Sequence, residues 1–146
     1  FYIEHNRGHH VRVATPDDPA SSRFGESLWE FLPRAVMNSF QSAIRLEAKR
    51  LNRGGSRFWT HRNHILQSWM LSAVLFGSLI YLNGTQIIPY LLIQAALAII
   101  LLETVNYVEH YGLLRAQRLD GRYERCTPRH SWNSDSLVTN LFLYHL

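Results

Sequence analysis

Two polar segments of the chain carry side chains that could bind metal ions. The first reads Glu4-His5-Asn6-Arg7-Gly8-His9-His10. His5 and His9 are four residues apart, so they share one face of a helix and could grip one metal ion. His10 should point about a quarter-turn away from His9, where it could serve a second metal ion. Gly8 omits a side chain that would crowd the site, and Glu4 could orient an imidazole by a hydrogen bond.

The second segment is the run ETVNYVEHYGL from residue 103 to residue 113. Glu103, Asn106 and His110 follow the spacing i, i+3 and i+7, which places them in one polar stripe on a helix. An ionisable side chain at the end of an apolar helix is costly unless it has a partner or a function. A role for His110 in capping the helix end beside Gly112 is the alternative. Imidazole-rich sites suit iron, zinc, copper or nickel, and spacing alone does not choose among them.

An uncharged block leads into the second segment. From residue 65 to residue 102 there is no Asp, Glu, Lys or Arg, and this length is about twice what one membrane-spanning helix needs. We therefore predict transmembrane helices over 65–83 and 86–105, joined as a hairpin at Asn83-Gly84-Thr85, with Pro89 near the start of the second helix. A buried hairpin in a soluble protein is the alternative, but such helices normally carry a polar stripe.

The distribution of charge argues against a nucleic-acid binder. The net charge is +4, yet the basic residues gather before and after the apolar block, as in cytoplasmic loops beside membrane spans. They are Arg45, Lys49, Arg50, Arg53, Arg57 and Arg62 before it, and Arg115, Arg118, Arg122, Arg125 and Arg129 after it. Both flanks, and with them the histidines, should lie at the cytoplasmic face. The single cysteine, Cys126, excludes a disulfide within this sequence.

The polar region before the block has helical spacing of its own. Apolar residues recur at Trp29, Leu32, Val36, Phe40, Ala43 and Ile44. We predict an amphipathic cytoplasmic or interfacial helix and a loop within 26–62, with Ser21 or Ser22 as the N-cap. The fold class is then all-α: a multi-span membrane protein with a transmembrane hairpin and a cytoplasmic, histidine-rich metal-binding region. Residues 1–25 carry the first histidines and a loop, and 106–146 form a further cytoplasmic segment.

The polar segments resemble the membrane-bound alkane monooxygenase family, histidine-rich diiron enzymes related to xylene monooxygenase and, more distantly, to fatty-acid desaturases. EHNRGHH matches the second histidine box of the family, ATPDDPASSRFGES is similar to the segment that follows it, and NYVEHYGL matches a further signature. The family's first box, His-Glu-x-x-His-Lys, and its last, His-x-x-His-His, do not occur in the sequence. We therefore expect an internal fragment of one desaturase-like hydroxylase domain, unable to assemble a competent site alone.

The resemblance implies a site with two non-haem iron ions. Four histidines take the family's ligand roles: His5, His9, His10 and His110. Residues expected to support the ligand rings are Glu4, Glu103, Asn106, Glu109, Asn140 and His145. His130 lies in the stretch that approaches the last box, and we interpret His61 and His64 as interfacial side chains.

The activity implied by the resemblance is hydroxylation of medium-chain n-alkanes to primary alcohols by dioxygen, in the cell (inner) membrane. Electrons would come from rubredoxin, reduced by rubredoxin reductase. Candidate residues for a substrate channel in the two spans are Trp69, Leu75, Leu79, Leu92, Leu97 and Leu101. Arg115, Arg118 and Arg122 could dock an acidic electron carrier, or they could contact lipid headgroups.

Other functions stay open at this point. A related membrane diiron enzyme could hydroxylate an alkyl-aromatic methyl group or desaturate an acyl chain. Outside enzymology, a membrane structural protein or a haem-binding protein would also carry histidines beside apolar helices.

Overall fold

A computed structural model describes residues 2–132, and the regular structure within this range is helical. The elements are α1 (Tyr2–Glu4), a π-helix (His5–His9), α2 (His10–Arg12), α3 (Leu28–Arg53), α4 (His64–Asn83), a 3₁₀ turn (Thr85–Ile87), α5 (Ile88–His110) and a 3₁₀ turn (Pro128–His130). The first three run on from one another, and we call residues 2–12 the histidine segment. The all-α prediction is confirmed for the described residues.

Helix α3 is the predicted amphipathic helix, but its N-cap is not where we expected. The cap is Ser27, which accepts a hydrogen bond from the Glu30 N–H while the Glu30 carboxylate bonds back to Ser27. This capping box satisfies backbone donors that have no partner within the helix. Ser21 and Ser22, the predicted caps, are committed elsewhere: their hydroxyls bond Asp18 and the carbonyl of Tyr107.

Helices α4 and α5 occupy the two predicted spans. Both are long and apolar enough to cross a membrane, and almost none of their surface is buried against the rest of the chain. The connection is at the predicted turn, where Gly84 adopts a φ of +80° that favours glycine. Beyond this turn the two helices make no extended contact with each other. Their exposed apolar side chains suit a lipid environment.

The buried core lies where the histidine segment, α3 and the end of α5 meet. Its apolar members include Ile3, Val13, Ala14, Ala20, Phe31 and Ala35. Phe31 of α3 packs edge-on against Tyr107 of α5, with 5.4 Å between ring centroids. The Tyr107 hydroxyl also donates to the carbonyl of Glu26 at 2.7 Å. These contacts hold the last turns of α5 beside residues 2–26, far away along the chain.

A buried carboxylate ties α3 to the beginning of α4 and to the histidine segment. The Glu47 side chain is fully buried and accepts hydrogen bonds from Arg50 at 2.5 and 2.8 Å and from the His64 N–H at 2.7 Å. Arg7 lies 3.7 Å from the same carboxylate. The hydrogen bonds from Arg50 lower the pKa of Glu47 to about 2, so the group is charged at neutral pH.

Candidate metal centre

The four histidines assigned as ligands lie together. The His9 and His110 rings, which come from opposite ends of the described chain, have centroids 5.0 Å apart. His5 lies 5.5 Å from His9 and 4.5 Å from His10, and His9 lies 5.6 Å from His10. Four imidazoles from two distant segments thus form one cluster.

A π-helix brings the ring of His10 beside that of His5. The backbone N–H of His10 donates to the carbonyl of His5, five residues earlier. In an α-helix it would donate to the carbonyl four residues earlier. This wider turn carries His10 back over His5, so the His5–His10 separation is shorter than the His5–His9 separation. The predicted quarter-turn offset between His9 and His10 stays a prediction. Single π turns are frequent at functional sites.

His9 is oriented by Asp18, a residue that the sequence analysis treated only as part of a turn. The His9 Nδ1 and the Asp18 Oδ2 are 2.9 Å apart, and both side chains are buried. Ser21 donates to the same carboxylate at 2.6 Å, and the Ala20 N–H donates to its other oxygen. Burial raises the pKa of Asp18, but the hydrogen bonds from His9 and Ser21 outweigh it and the net pKa is lowered. The ionised Asp18 can only accept, so His9 Nδ1 is the donor of this hydrogen bond.

His110 is oriented in the same way by a backbone carbonyl. Its Nδ1 lies 3.2 Å from the carbonyl oxygen of His130, which can only accept, so Nδ1 donates and Nε2 keeps its lone pair. The bond goes to residue 130 rather than to the last turn of α5, which is not what the helix-capping alternative expects. The His130 ring itself is held by Thr127 and Glu124. It supports His110 through its main chain.

The acidic residues proposed to support the rings occupy different positions around the cluster. Buried Glu4 accepts a hydrogen bond from Arg12 at 2.6 Å, and its Oε2 has no hydrogen-bond partner within residues 2–132. Burial raises the pKa of Glu4. Glu103 is buried and accepts from Asn106 at 3.3 Å, while Glu109 accepts from Ser131 at 2.9 Å. The predicted stripe of α5 is real: Glu103, Asn106 and His110 are buried on a helix that is otherwise largely exposed.

Comparison with known proteins decides the family. The fatty acid desaturase family model matches residues 1–146. The chain belongs to the fatty acid desaturase family. It is 54% identical to an alkane 1-monooxygenase of Acinetobacter baylyi and 48% identical to one of Ectopseudomonas oleovorans, in each case over the whole chain and 36% of the relative. It is 31% identical to the xylene/toluene monooxygenase hydroxylase component XylM of Pseudomonas putida, over 90% of the chain and 34% of that protein. The chain thus spans about a third of the length of these curated relatives.

The described histidines are suitable metal ligands individually, but their arrangement does not form a complete metal site. Within residues 2–132, no group of three or more His, Cys, Asp or Glu side chains is arranged to hold a metal ion. The individual donors are nevertheless suitable, because His9 and His110 each use Nδ1 for an oxygen acceptor and leave Nε2 for a ligand. Burial and the neighbouring His10 and His9 lower the pKa of His5 to about 4. His5 is therefore neutral at pH 7, the form that binds metals.

The remaining predicted residues fall into three groups. His61 is exposed, and the half-exposed His64 begins α4, where its N–H bonds Glu47. Asn140 and His145 lie outside the described residues. Trp69, Leu75, Leu79, Leu92, Leu97 and Leu101 lie on α4 and α5 with side chains exposed or half-buried. Their positions are compatible with a channel wall and equally with lipid contact.

Of the three arginines proposed to dock an electron carrier, one forms side-chain hydrogen bonds within the described part of the protein. Arg115 donates to the carbonyls of Val11 and Glu124, so it ties the loop after α5 to the histidine segment. Arg118 and Arg122 are exposed. Neither forms an ion pair with another of the described residues.

Proposed function

We propose that this chain is the part of a membrane alkane 1-monooxygenase that supplies four histidine ligands to a non-haem diiron site. The observation that carries the proposal is the 5.0 Å approach of the His9 and His110 rings, in a chain about half identical to alkane 1-monooxygenases. The complete enzyme would convert medium-chain n-alkanes and dioxygen to primary alcohols and water. When bound, the irons would supply the reaction with dioxygen.

In this proposal the chain holds and orients the ligands. His5, His9, His10 and His110 would bind iron, while Asp18 and the His130 carbonyl fix the rings of His9 and His110. Both of those rings are buried, so each is held away from bulk water. Metal-bound histidines commonly donate their other ring N–H to such acceptors, which supports the assignment.

The membrane location suits an alkane substrate. An alkane has no polar group, and its transfer from water into hydrocarbon is favourable by about 0.8 kcal/mol per methylene. The exposed apolar surfaces of α4 and α5 would meet the substrate in the bilayer of the cell (inner) membrane, with the histidines at the cytoplasmic side. We infer that Trp69, Leu75, Leu79, Leu97 and Leu101 form part of the channel that admits it.

Substitution with Trp at the leucines tests the channel. If a leucine lines the channel, its replacement by Trp should shorten the longest alkane that the full-length enzyme accepts, because the larger ring fills space that the substrate occupies. The products from n-hexane to n-dodecane would be quantified for the variants at Leu75, Leu79, Leu97 and Leu101. An unchanged chain-length profile in all four would show that these residues contact lipid or neighbouring helices instead.

The central experiment measures iron and product together in the full-length protein. We expect non-haem iron without porphyrin absorbance, and conversion of n-octane to 1-octanol with NADH, rubredoxin reductase and rubredoxin. His110→Ala should lose iron and activity, whereas His61→Ala, at an exposed histidine outside the cluster, should keep both. Equal iron content in the two variants would refute the ligand assignment, and porphyrin absorbance would identify a haem protein.

The 31% identity to the xylene/toluene component supports a second candidate, hydroxylation of an alkyl-aromatic methyl group. The same preparation assayed with p-xylene would separate the two. Faster turnover of p-xylene than of n-octane would favour the second candidate, while the higher identity to alkane 1-monooxygenases favours the first.

A further inference from the structure

A cationic groove runs between α3 and the turn that contains Asp18. Its volume is about 490 Å³, and five cationic side chains line it together with the carboxylates of Asp17 and Asp18. The cationic residues are Arg12, Arg23, Arg34, Arg45 and Lys49. Three of them lie on α3 at positions 34, 45 and 49, on one stripe of the helix.

Only some of these cationic side chains form ion pairs with other residues that the structure describes. Arg12 pairs with Glu4 and Arg34 pairs with Glu26. Within residues 2–132, Arg23, Arg45 and Lys49 form no ion pair. These three side chains are exposed, so they can meet an anionic partner.

The groove also leads to the metal cluster. Asp18 lines the groove with its buried carboxylate bonded to His9. A partner seated in the groove would therefore be separated from an imidazole of the cluster by one side chain. A second groove of similar volume lies on α4 around Gly77, and no histidine lines it.

The position of the groove favours a partner from the aqueous side. The exposed apolar residues Trp29, Val36 and Phe40 lie on one face of α3, and Arg45 and Lys49 lie about half a turn away. Phe40 stacks on Trp69 of α4 at 6.4 Å, so the apolar face is the one beside the span. The cationic face is turned from the lipid.

We propose that this groove is the docking surface of an acidic, one-electron carrier protein, with electrons passing toward the cluster along Asp18 and His9. The inference rests on the proposed function, which needs such a carrier. One turnover combines an alkane, dioxygen, two electrons and two protons to give an alcohol and water, so two reduced carriers must each lose one electron. Complementary charge would speed their encounter and make it sensitive to salt.

The test compares two matched double variants of the full-length enzyme. Arg45→Gln/Lys49→Gln removes two free cations from the groove, and Arg118→Gln/Arg122→Gln removes two from the exposed loop after α5. Binding of oxidised rubredoxin is measured by surface plasmon resonance, and the rubredoxin KM is measured with n-octane as substrate. The groove variant should bind about tenfold more weakly at low salt, with a higher KM, an unchanged kcat and unchanged iron content. The difference should shrink in high salt.

Each alternative result has a distinct meaning. Wild-type affinity in the groove variant with weakened binding in the loop variant would overturn the proposal and place docking at Arg118 and Arg122. Equal weakening in both would overturn it by showing that only net charge matters. Loss of phosphatidylglycerol binding with normal rubredoxin binding would make the groove a lipid site. In these cases alkane hydroxylation persists, whereas a wild-type enzyme that neither binds rubredoxin nor hydroxylates alkane would refute the proposed function itself.

Discussion

Replacing Glu47 with Gln should lower the free energy of unfolding by about 2–4 kcal/mol, because it removes the charge that joins α3, α4 and the histidine segment. The carboxylate accepts two hydrogen bonds from Arg50 and one from the His64 N–H, and Arg7 lies 3.7 Å away. Glutamine retains one acceptor oxygen but presents an NH₂ group where the second oxygen met a cation. The substitution therefore keeps the shape of the side chain and removes its function as a shared acceptor.

The magnitude follows from the hydrogen bonds that the substitution removes. About two charge-assisted hydrogen bonds are lost, and each contributes about 1.5–3 kcal/mol. The lower end applies because the Arg50 side chain is 32% exposed and can be hydrated after the change. A fall in the pKa of Glu47 from 4.5 to about 2, caused first by the same Arg50 hydrogen bonds, expresses this stabilisation of the folded state as about 3 kcal/mol at neutral pH.

The pH dependence has a definite sign. Because the folded-state pKa of Glu47 lies below its ordinary value, its contribution is complete above about pH 4.5 and is lost as the pH falls toward about 2. The difference in stability between the wild type and Glu47→Gln should therefore be constant from pH 7 to pH 5. It should shrink below that range.

Equilibrium unfolding of the full-length protein in mixed detergent and dodecyl sulfate micelles, followed by tryptophan fluorescence, would measure the effect. Glu30→Gln is the matched control, since Glu30 is exposed on the same helix and a glutamine there keeps an oxygen that can accept from the Ser27 N–H of the capping box, so the change should be much smaller. Equal losses of stability in the two variants would refute the assignment of Glu47 as a buried link between elements. A difference that grows rather than shrinks below pH 4.5 would refute the sign of the pKa argument.

Two further substitutions test the surroundings of the histidines. Gly8→Ala should cost about 1–3 kcal/mol of stability, because a Cβ at this position overlaps the Glu4 carboxylate, which is buried and held by Arg12. Gly77→Ala meets open space and should be neutral or slightly stabilising in the same unfolding assay. Asp18→Ala should weaken iron binding about 10- to 100-fold in competition with a chelator, while Asp17→Ala at the exposed neighbour should not. Iron affinity that is insensitive to residue 18 would show that Asp18 has only a structural role.

The sequence alone determined those features that depend on local pattern. An uncharged stretch of this length favours apolar helices, so the two helices that are long enough to cross a membrane and the turn at Gly84 were predictable. The spacing of Glu103, Asn106 and His110 likewise defined a polar stripe, because α-helical geometry repeats regularly along α5. The histidines were identified as candidate ligands by their type and spacing and by the resemblance to a family.

Only the tertiary structure decided how these features combine. The His9–His110 and Phe31–Tyr107 ring contacts each join residues too far apart in sequence for any periodicity to reveal. The pairing of Asp18 with His9 depends on the path of an irregular turn, and a turn motif does not specify what its side chains will meet. The π-helix, in which the His10 N–H bonds the His5 carbonyl, cannot be read from the spacing of the histidines.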